Sequence, residues 1–203
     1  MKSLSEIETI SKRASRAVGF SWGISEEVGR NMKLLELFSL KGIKHLNEYF
    51  KQRSNEKFEN LNLISENNKS SKLPYCPIIL GVSFLDQIKT LEKFNKIKFY
   101  NIAFPLLFLP FLSRSSEIIG KKINFKFDDK EFVLNHNVNI LSNLPMDDCP
   151  ITAQNSEIIF IANEDNFTNQ EWKNLYKLSE NTFVDETDSL KKGAAGAGLT
   201  DND

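Results

Sequence analysis

The chain has 203 residues, with 26 Lys and Arg against 27 Asp and Glu and a formal net charge of -1. That near balance excludes a general electrostatic pull toward nucleic acid or an anionic membrane, and the length suffices for one large domain with a proper core or for two small ones. Lysine far outnumbers arginine and asparagine is abundant, a bias that AT-rich codons produce without implying lysine chemistry.

In the opening stretch Leu4, Ile7, Ile10, Ala14, Ala17 and Val18 recur at three- and four-residue spacing, which gathers them on one face of a helix. Ser3 with Glu6 makes a capping box that starts it, and Gly19 is placed to end it. After the joint Gly19-Phe20-Ser21-Trp22-Gly23, Ser25 is positioned to cap a second helix along Ile24, Val28, Met32, Leu35 and Phe38. Glu26 and Glu27 fall in its electropositive first turn, and Gly42 is its stop. Gly29 inside that helix costs about 1 kcal/mol relative to alanine, which a close crossing with Ala14 and Ala17 would offset, with Trp22 folded over the joint. Arg13, Arg16, Glu26, Glu27 and Arg30 read either as a solvated charged face or as a ligand cluster. A DNA-reading helix-turn-helix is rejected, because the second helix opens on two glutamates where a groove reader needs donors.

A third helix is expected from Ile43 to Arg53, carrying His45 at the surface or half-buried. Residues 54–72, rich in Asn, Ser, Glu and Lys, read as a mobile loop or weak helix and as the weak internal boundary. Pro77 then suits the first position of a helix over 78–94, and Ile97 to Ala103 alternates as a strand with Asn101 on the side of Ile97 and Phe99. The run Ile102 to Leu112 is the most apolar in the chain but too short to span a bilayer, so it is core. Pro105 begins a helix there, Pro110 kinks or splits it, and Arg114 follows as an anion contact or as a helix-end charge reaching water.

Alternation from Ile123 to Leu134 around Asp128-Asp129-Lys130 predicts a hairpin, with the aspartates a turn signal before a metal site. Asn135 to Asn139 is read as loop. Glu157 to Ala162, apolar on both faces, is expected to be an interior strand covered by helices. Thr168 with Glu171 forms a second capping box, opening a helix that buries Trp172, Leu175 and Leu178.

Little chemistry lies between these elements. Cys76 and Cys149 each precede a proline and lie far apart, as do His45 and His136, so neither pair has the close spacing of a zinc site. Asp147-Asp148-Cys149-Pro150 lacks a base to activate the thiol unless His136 folds back onto it. No metal and no cofactor is expected. The start Met-Lys-Ser-Leu-Ser-Glu has no signal-peptide core, which points to the cytoplasm.

At the far end Gly193-Ala-Ala-Gly196-Ala-Gly198 removes side-chain bulk before Leu199, Thr200, Asp201, Asn202 and Asp203. Two readings stand: a frayed end, or a slim segment that threads a groove and delivers an anionic tip to a cationic site of this chain or of a partner. Ser-Leu-Ser-Glu-Ile-Glu at the start, Gly-Phe-Ser-Trp-Gly with Ser-Glu-Glu-Val-Gly-Arg, Pro-Leu-Leu-Phe-Leu-Pro-Phe-Leu and the ending Gly-Ala-Gly-Leu-Thr-Asp-Asn-Asp resemble, over nearly the whole chain, a bacterial family catalogued only as a domain of unknown function. The resemblance carries no mechanism, but implies that the ending belongs to the natural protein.

The expected fold is α+β, an N-terminal helical pair packed on a small, mainly antiparallel sheet with interspersed helices: a single domain over 1–192, then the tail 193–203. The expected function is a non-catalytic cytosolic accessory or assembly protein that engages a protein partner, or a second copy of itself, but neither nucleic acid nor membrane. Its binding residues are Trp22, Arg30, Arg114, Gly196, Gly198, Thr200, Asp201 and Asp203. The alternative is a small-molecule enzyme with Glu26 or Glu27 as base and Arg30 as anion clamp.

Overall fold

The computed structural model describes residues 2–55, 58–135, 140–142, 149–162 and 164–182. Its contacts divide the chain into two units, Met1–Asn163 and Glu164–Asp203. In the first, helices α1 (Leu4–Ala17), α2 (Trp22–Leu37) and α3 (Gly42–Asn55) precede strand β1 (Asn67–Lys69), helix α4 (Pro77–Leu91) and strand β2 (Lys96–Ala103). A 3-10 turn (Pro105–Leu107) and helix α5 (Leu109–Ile119) follow, then strands β3 (Lys122–Phe127), β4 (Lys130–Leu134), β5 (Ile140–Ser142) and β6 (Thr152–Ile161). The class is α+β, as the order of elements predicts.

Among the described residues the sheet has the order β1-β2-β6-β3-β4-β5. Only the edge pair β1 and β2 is parallel, joined through α4; every other pairing is antiparallel. Because β2 and β3 both run against β6, they are parallel to each other, with β6 inserted between them and α5 on the connection. Alternation aims Ile97, Phe99, Ile123, Phe125, Phe127, Phe132, Leu134 and Ile158 at the helices, where they are buried with Phe84, Phe108 and Phe111. At Asn101 a left-handed φ of 69° interrupts β2, so that Ile102 enters the core where simple alternation would have sent Asn101.

The capping box at Ser3 and Glu6 is present, and Gly19, at φ 98°, ends α1. The amides of Gly19 and Phe20 bond back to the carbonyls of Arg16 and Ser15, at 3.1 and 3.2 Å, closing the left-handed terminus that glycine favours. The expected start of α2 needs correction. Its cap is Ser21, whose Oγ accepts from the Ile24 amide at 3.4 Å, whereas the buried Ser25 spends its hydroxyl on the Ser21 carbonyl at 2.8 Å. Nor does α2 run to Gly42. Ser39 takes the left-handed turn at φ 55°, with Leu40 bonding to the Leu35 carbonyl at 2.8 Å, and Gly42 opens α3 because a Cβ there would stand 2.7 Å from that of Leu35.

A close helix crossing does accommodate Gly29, but a Cβ there would meet Glu8 O at 2.7 Å and Lys12 Cβ at 3.2 Å; Ala14 and Ala17 are not the opposing residues. Beyond α1, helix α2 meets α3, α4 and α5. Pro105 opens the 3-10 turn and the run is divided there, but the break comes at Phe108 and Pro110 kinks nothing: it lies in the first turn of α5, where an amide would have no partner. Within residues 54–72 lie β1 and the buried Ile64, whose amide donates to Gln87 Oε1 at 3.1 Å, so the part from Ile64 to Lys69 is tied into the fold.

Two further expectations change. β6 is central, but its faces differ: Ile158 is buried, Ile159 half-buried and Ile161 exposed, beside the lysines of neighbouring strands. In the second unit α6 (Asn169–Ser179) has the Thr168–Glu171 capping box yet buries none of its side chains, Trp172, Leu175 and Leu178 included.

Candidate functional site

The joint between α1 and α2 sends its two aromatics in opposite directions. Phe20 turns inward and is buried under the Arg53 guanidinium, 4.0 Å from its ring centre. Trp22, on the first turn of α2, remains 57% exposed. It is held from α1 by Arg16, 5.4 Å from the ring centroid, and Lys12, 5.8 Å away, which lie one turn apart. Arg16 is fixed by donating from Nη1 to the Phe20 carbonyl at 2.8 Å. Trp22 therefore stands beside the joint under two cations and does not fold over it.

The predicted carboxylates separate. Glu26 receives Lys12 at 2.6 Å, and that hydrogen bond, with the charge of Lys12, holds its carboxyl below the usual range. Glu27 turns the other way, bonded to Arg30 at 3.2 Å and paired with Arg114 of α5. The structure thus brings Glu27, Arg30 and Arg114 together as a bridge between α2 and α5 and leaves Glu26 apart. Arg114 does not reach only water: it is paired with Glu27 within the chain. Gly196, Gly198, Thr200, Asp201 and Asp203 lie outside the described residues, as do His136, Asp147 and Asp148.

The cysteines are sequestered. Cys76 Sγ is fully buried 3.0 Å from the Tyr49 hydroxyl, which also accepts from Arg53 at 3.2 Å, and burial pushes both the thiol and the phenol up. Burial likewise pushes Cys149 up to about 12, so both thiols stay protonated at neutral pH. Among the described residues no three His, Cys, Asp or Glu gather as a metal set.

His45 is buried, not superficial: it sits edge-on to Phe104 at 6.4 Å, and burial holds its imidazole below the ordinary range. An unfolded chain takes up the proton below its ordinary pKa of about 6.5, whereas the folded one resists until its lower value. Stability therefore falls as pH drops through that window, by at most about 1.4 kcal/mol per pH unit, and levels off below the folded value. We expect His45→Leu to remove this component of the acid loss, read as the difference between the two proteins' urea midpoints from neutral to mildly acid pH; parallel curves would contradict it.

Sequence reasoning missed the outward face of the sheet. Across β2, β6, β3 and β4 it carries the row Lys98, Glu157, Lys126, Glu131, in register as cross-strand neighbours. Lys96 reaches Glu157 at 3.0 Å and Lys126 reaches Glu131 at 3.3 Å, and a shallow pocket of about 310 Å³ opens beside Lys98, Tyr100, Asp128 and Asn155. Alternating charge in each strand was visible in sequence, but its register depends on β6 entering between β2 and β3.

Residues 2–75 match the family described as Protein of unknown function (DUF3726). That stretch contains the joint, Glu26, Glu27 and Arg30, and stops before Arg114, the Pro105–Leu112 run and the tail. No curated protein and no solved structure matches the chain. Among the described residues no helix is long and apolar enough to cross a membrane.

Proposed function

We propose that the protein is a non-catalytic accessory or assembly protein of the cytoplasm, engaging a partner subunit through the joint of its N-terminal helical pair and through its C-terminal tail. The observation that carries this reading is Trp22, a large aromatic left more than half exposed on the capped first turn of α2, with Arg16 and Lys12 over its ring. Exposed tryptophan and arginine anchors held in place before contact lose little freedom on binding and dominate interface energetics.

The alternative, an enzyme using Glu26 or Glu27 as base and Arg30 as clamp, draws less support. A general base works best poised near the operating pH, whereas Lys12 holds Glu26 well into its charged form and two arginines occupy Glu27.

Affinity purification from the native cell tests the proposal with full-length protein, Trp22→Ala and a chain ending at Lys192. A stoichiometric partner should come with the full chain, fall at least about tenfold with Trp22→Ala, and be lost on truncation, while the substituted protein melts within a few degrees of the parent. No partner with any form, or equal recovery with all three, rejects the reading.

A further inference from the structure

We infer that the joint accepts a short acidic segment of the partner, with Trp22 as the apolar anchor and Arg13 and Arg16 as the carboxylate receptors; this rests on the docking reading above. Other cations on the pair are matched by glutamates: Lys2 with Glu6, Lys12 with Glu26, Arg30 with Glu27 and Lys33 with Glu8. Arg13 and Arg16 are both exposed and, among the described residues, neither has a carboxylate partner.

Three residues apart on α1, they share one side of the helix. Arg16 uses one donor group on the Phe20 carbonyl at 2.8 Å, which fixes its plane and leaves the rest of the guanidinium fork for a bidentate acceptor. Beside it Ala17, Val18 and Trp22 are exposed, offering an apolar seat next to the uncompensated charge.

The size of the surplus selects the occupant. Two unmatched guanidinium groups within one helical turn balance a pair of carboxylates. A nucleic acid strand or an anionic bilayer would extend over the rest of the pair, where each of those other cations is already matched by a glutamate. A peptide bearing closely spaced Asp or Glu beside one large apolar side chain fits both the charge and the seat.

Selection from a random-peptide display library on the full chain tests this directly. The recovered sequences should pair clustered Asp or Glu with an aromatic or leucine. A synthetic peptide of the recovered sequence should bind at least about tenfold more weakly to Trp22→Ala and to Arg13→Glu, the second a change at a side chain with no ion-pair partner. The double variant Arg13→Glu with Arg16→Glu should instead select Lys- or Arg-rich sequences. Recovery of neutral or basic peptides by the parent, or acidic peptides indifferent to Arg13→Glu, overturns the inference. So does Trp22-dependent binding to vesicles of mixed phosphatidylcholine and phosphatidylglycerol, which would assign the seat to a membrane. In the native purification, loss of the partner with Trp22→Ala but not with Arg13→Glu would leave the docking reading standing and remove the acidic segment; retention with Trp22→Ala would remove both.

Discussion

Phe108→Ala will destabilise the first unit by about 3–5 kcal/mol, the range for emptying a buried aromatic site. Phe108 ends the 3-10 turn and caps α5, with its ring fully buried between helix layer and sheet. Phe84 of α4, Phe99 of β2 and Phe125 of β3 meet it edge-on at 5.7, 6.1 and 5.6 Å, so one truncation removes three aromatic contacts as well as its own burial. Neighbouring backbone from two strands and two helices cannot collapse together into the space, which places the loss at the upper end of what a phenylalanine costs. Urea unfolding followed by circular dichroism would show the midpoint drop with little change in slope. A loss under about 1 kcal/mol, the scale of a surface change, would mean that the centre of this core lies elsewhere.

The second large effect comes from adding one carbon. Gly81 of α4 faces the ring of Phe111 on α5, and a Cβ would stand 2.1 Å from Phe111 Cδ2, well inside van der Waals contact. Gly81→Ala gains about 1 kcal/mol of helix propensity, yet overpacking of a closed core costs typically 1–3 kcal/mol and occasionally more. We expect a net loss, deepening with Gly81→Val. Gly23 supplies the control: it lies in α2 with nothing within 4 Å of its added Cβ, so its alanine variant should lose nothing. Combining Gly81→Ala with Phe111→Leu should recover part of the loss, a coupling that only residues in contact display. Additive effects would refute the crowding.

What was legible in the sequence was local. Ser3 with Glu6, Gly19, Pro77 and the alternation of Ile123 to Leu134 each determine their element through bonds to near neighbours. Elements set by distant contact were misread. The local pattern points to Ser25 as the cap of α2, whereas the helix starts at Trp22, soon after the Gly19 turn, which gives Ser21 that place. Gly42 looked like a stop because glycine often is one, while its actual use is to clear Leu35. β1 is Asn-Asn-Lys, without any apolar period; it is held by pairing to β2 and by Asn68, whose Nδ2 donates to the Lys98 carbonyl at 3.0 Å. Trp22 was singled out as a binding residue from sequence, but its setting was not: Lys12 and Arg16 reach it only after the turn brings α2 back along α1. The Glu27–Arg114 pair joins helices separated by four strands and helices in the chain order, beyond any local pattern.

The insertion of β6 between β2 and β3 sets the timetable of synthesis. When the ribosome has delivered everything up to β5, the two strands that will flank the centre of the sheet still present unpaired edges, and Ile158 has yet to arrive beneath the helices. The α1–α2 hairpin can form early from neighbours in sequence, but the sheet cannot close until residues 152–161 leave the exit tunnel. Nascent chains stalled short of that strand should be the aggregation-prone ones that engage chaperones, since open edges and uncovered apolar surface coincide there. Release of the last strand is then the event that commits the whole first unit to its final form, and folding of that unit waits on one late, long-range closure.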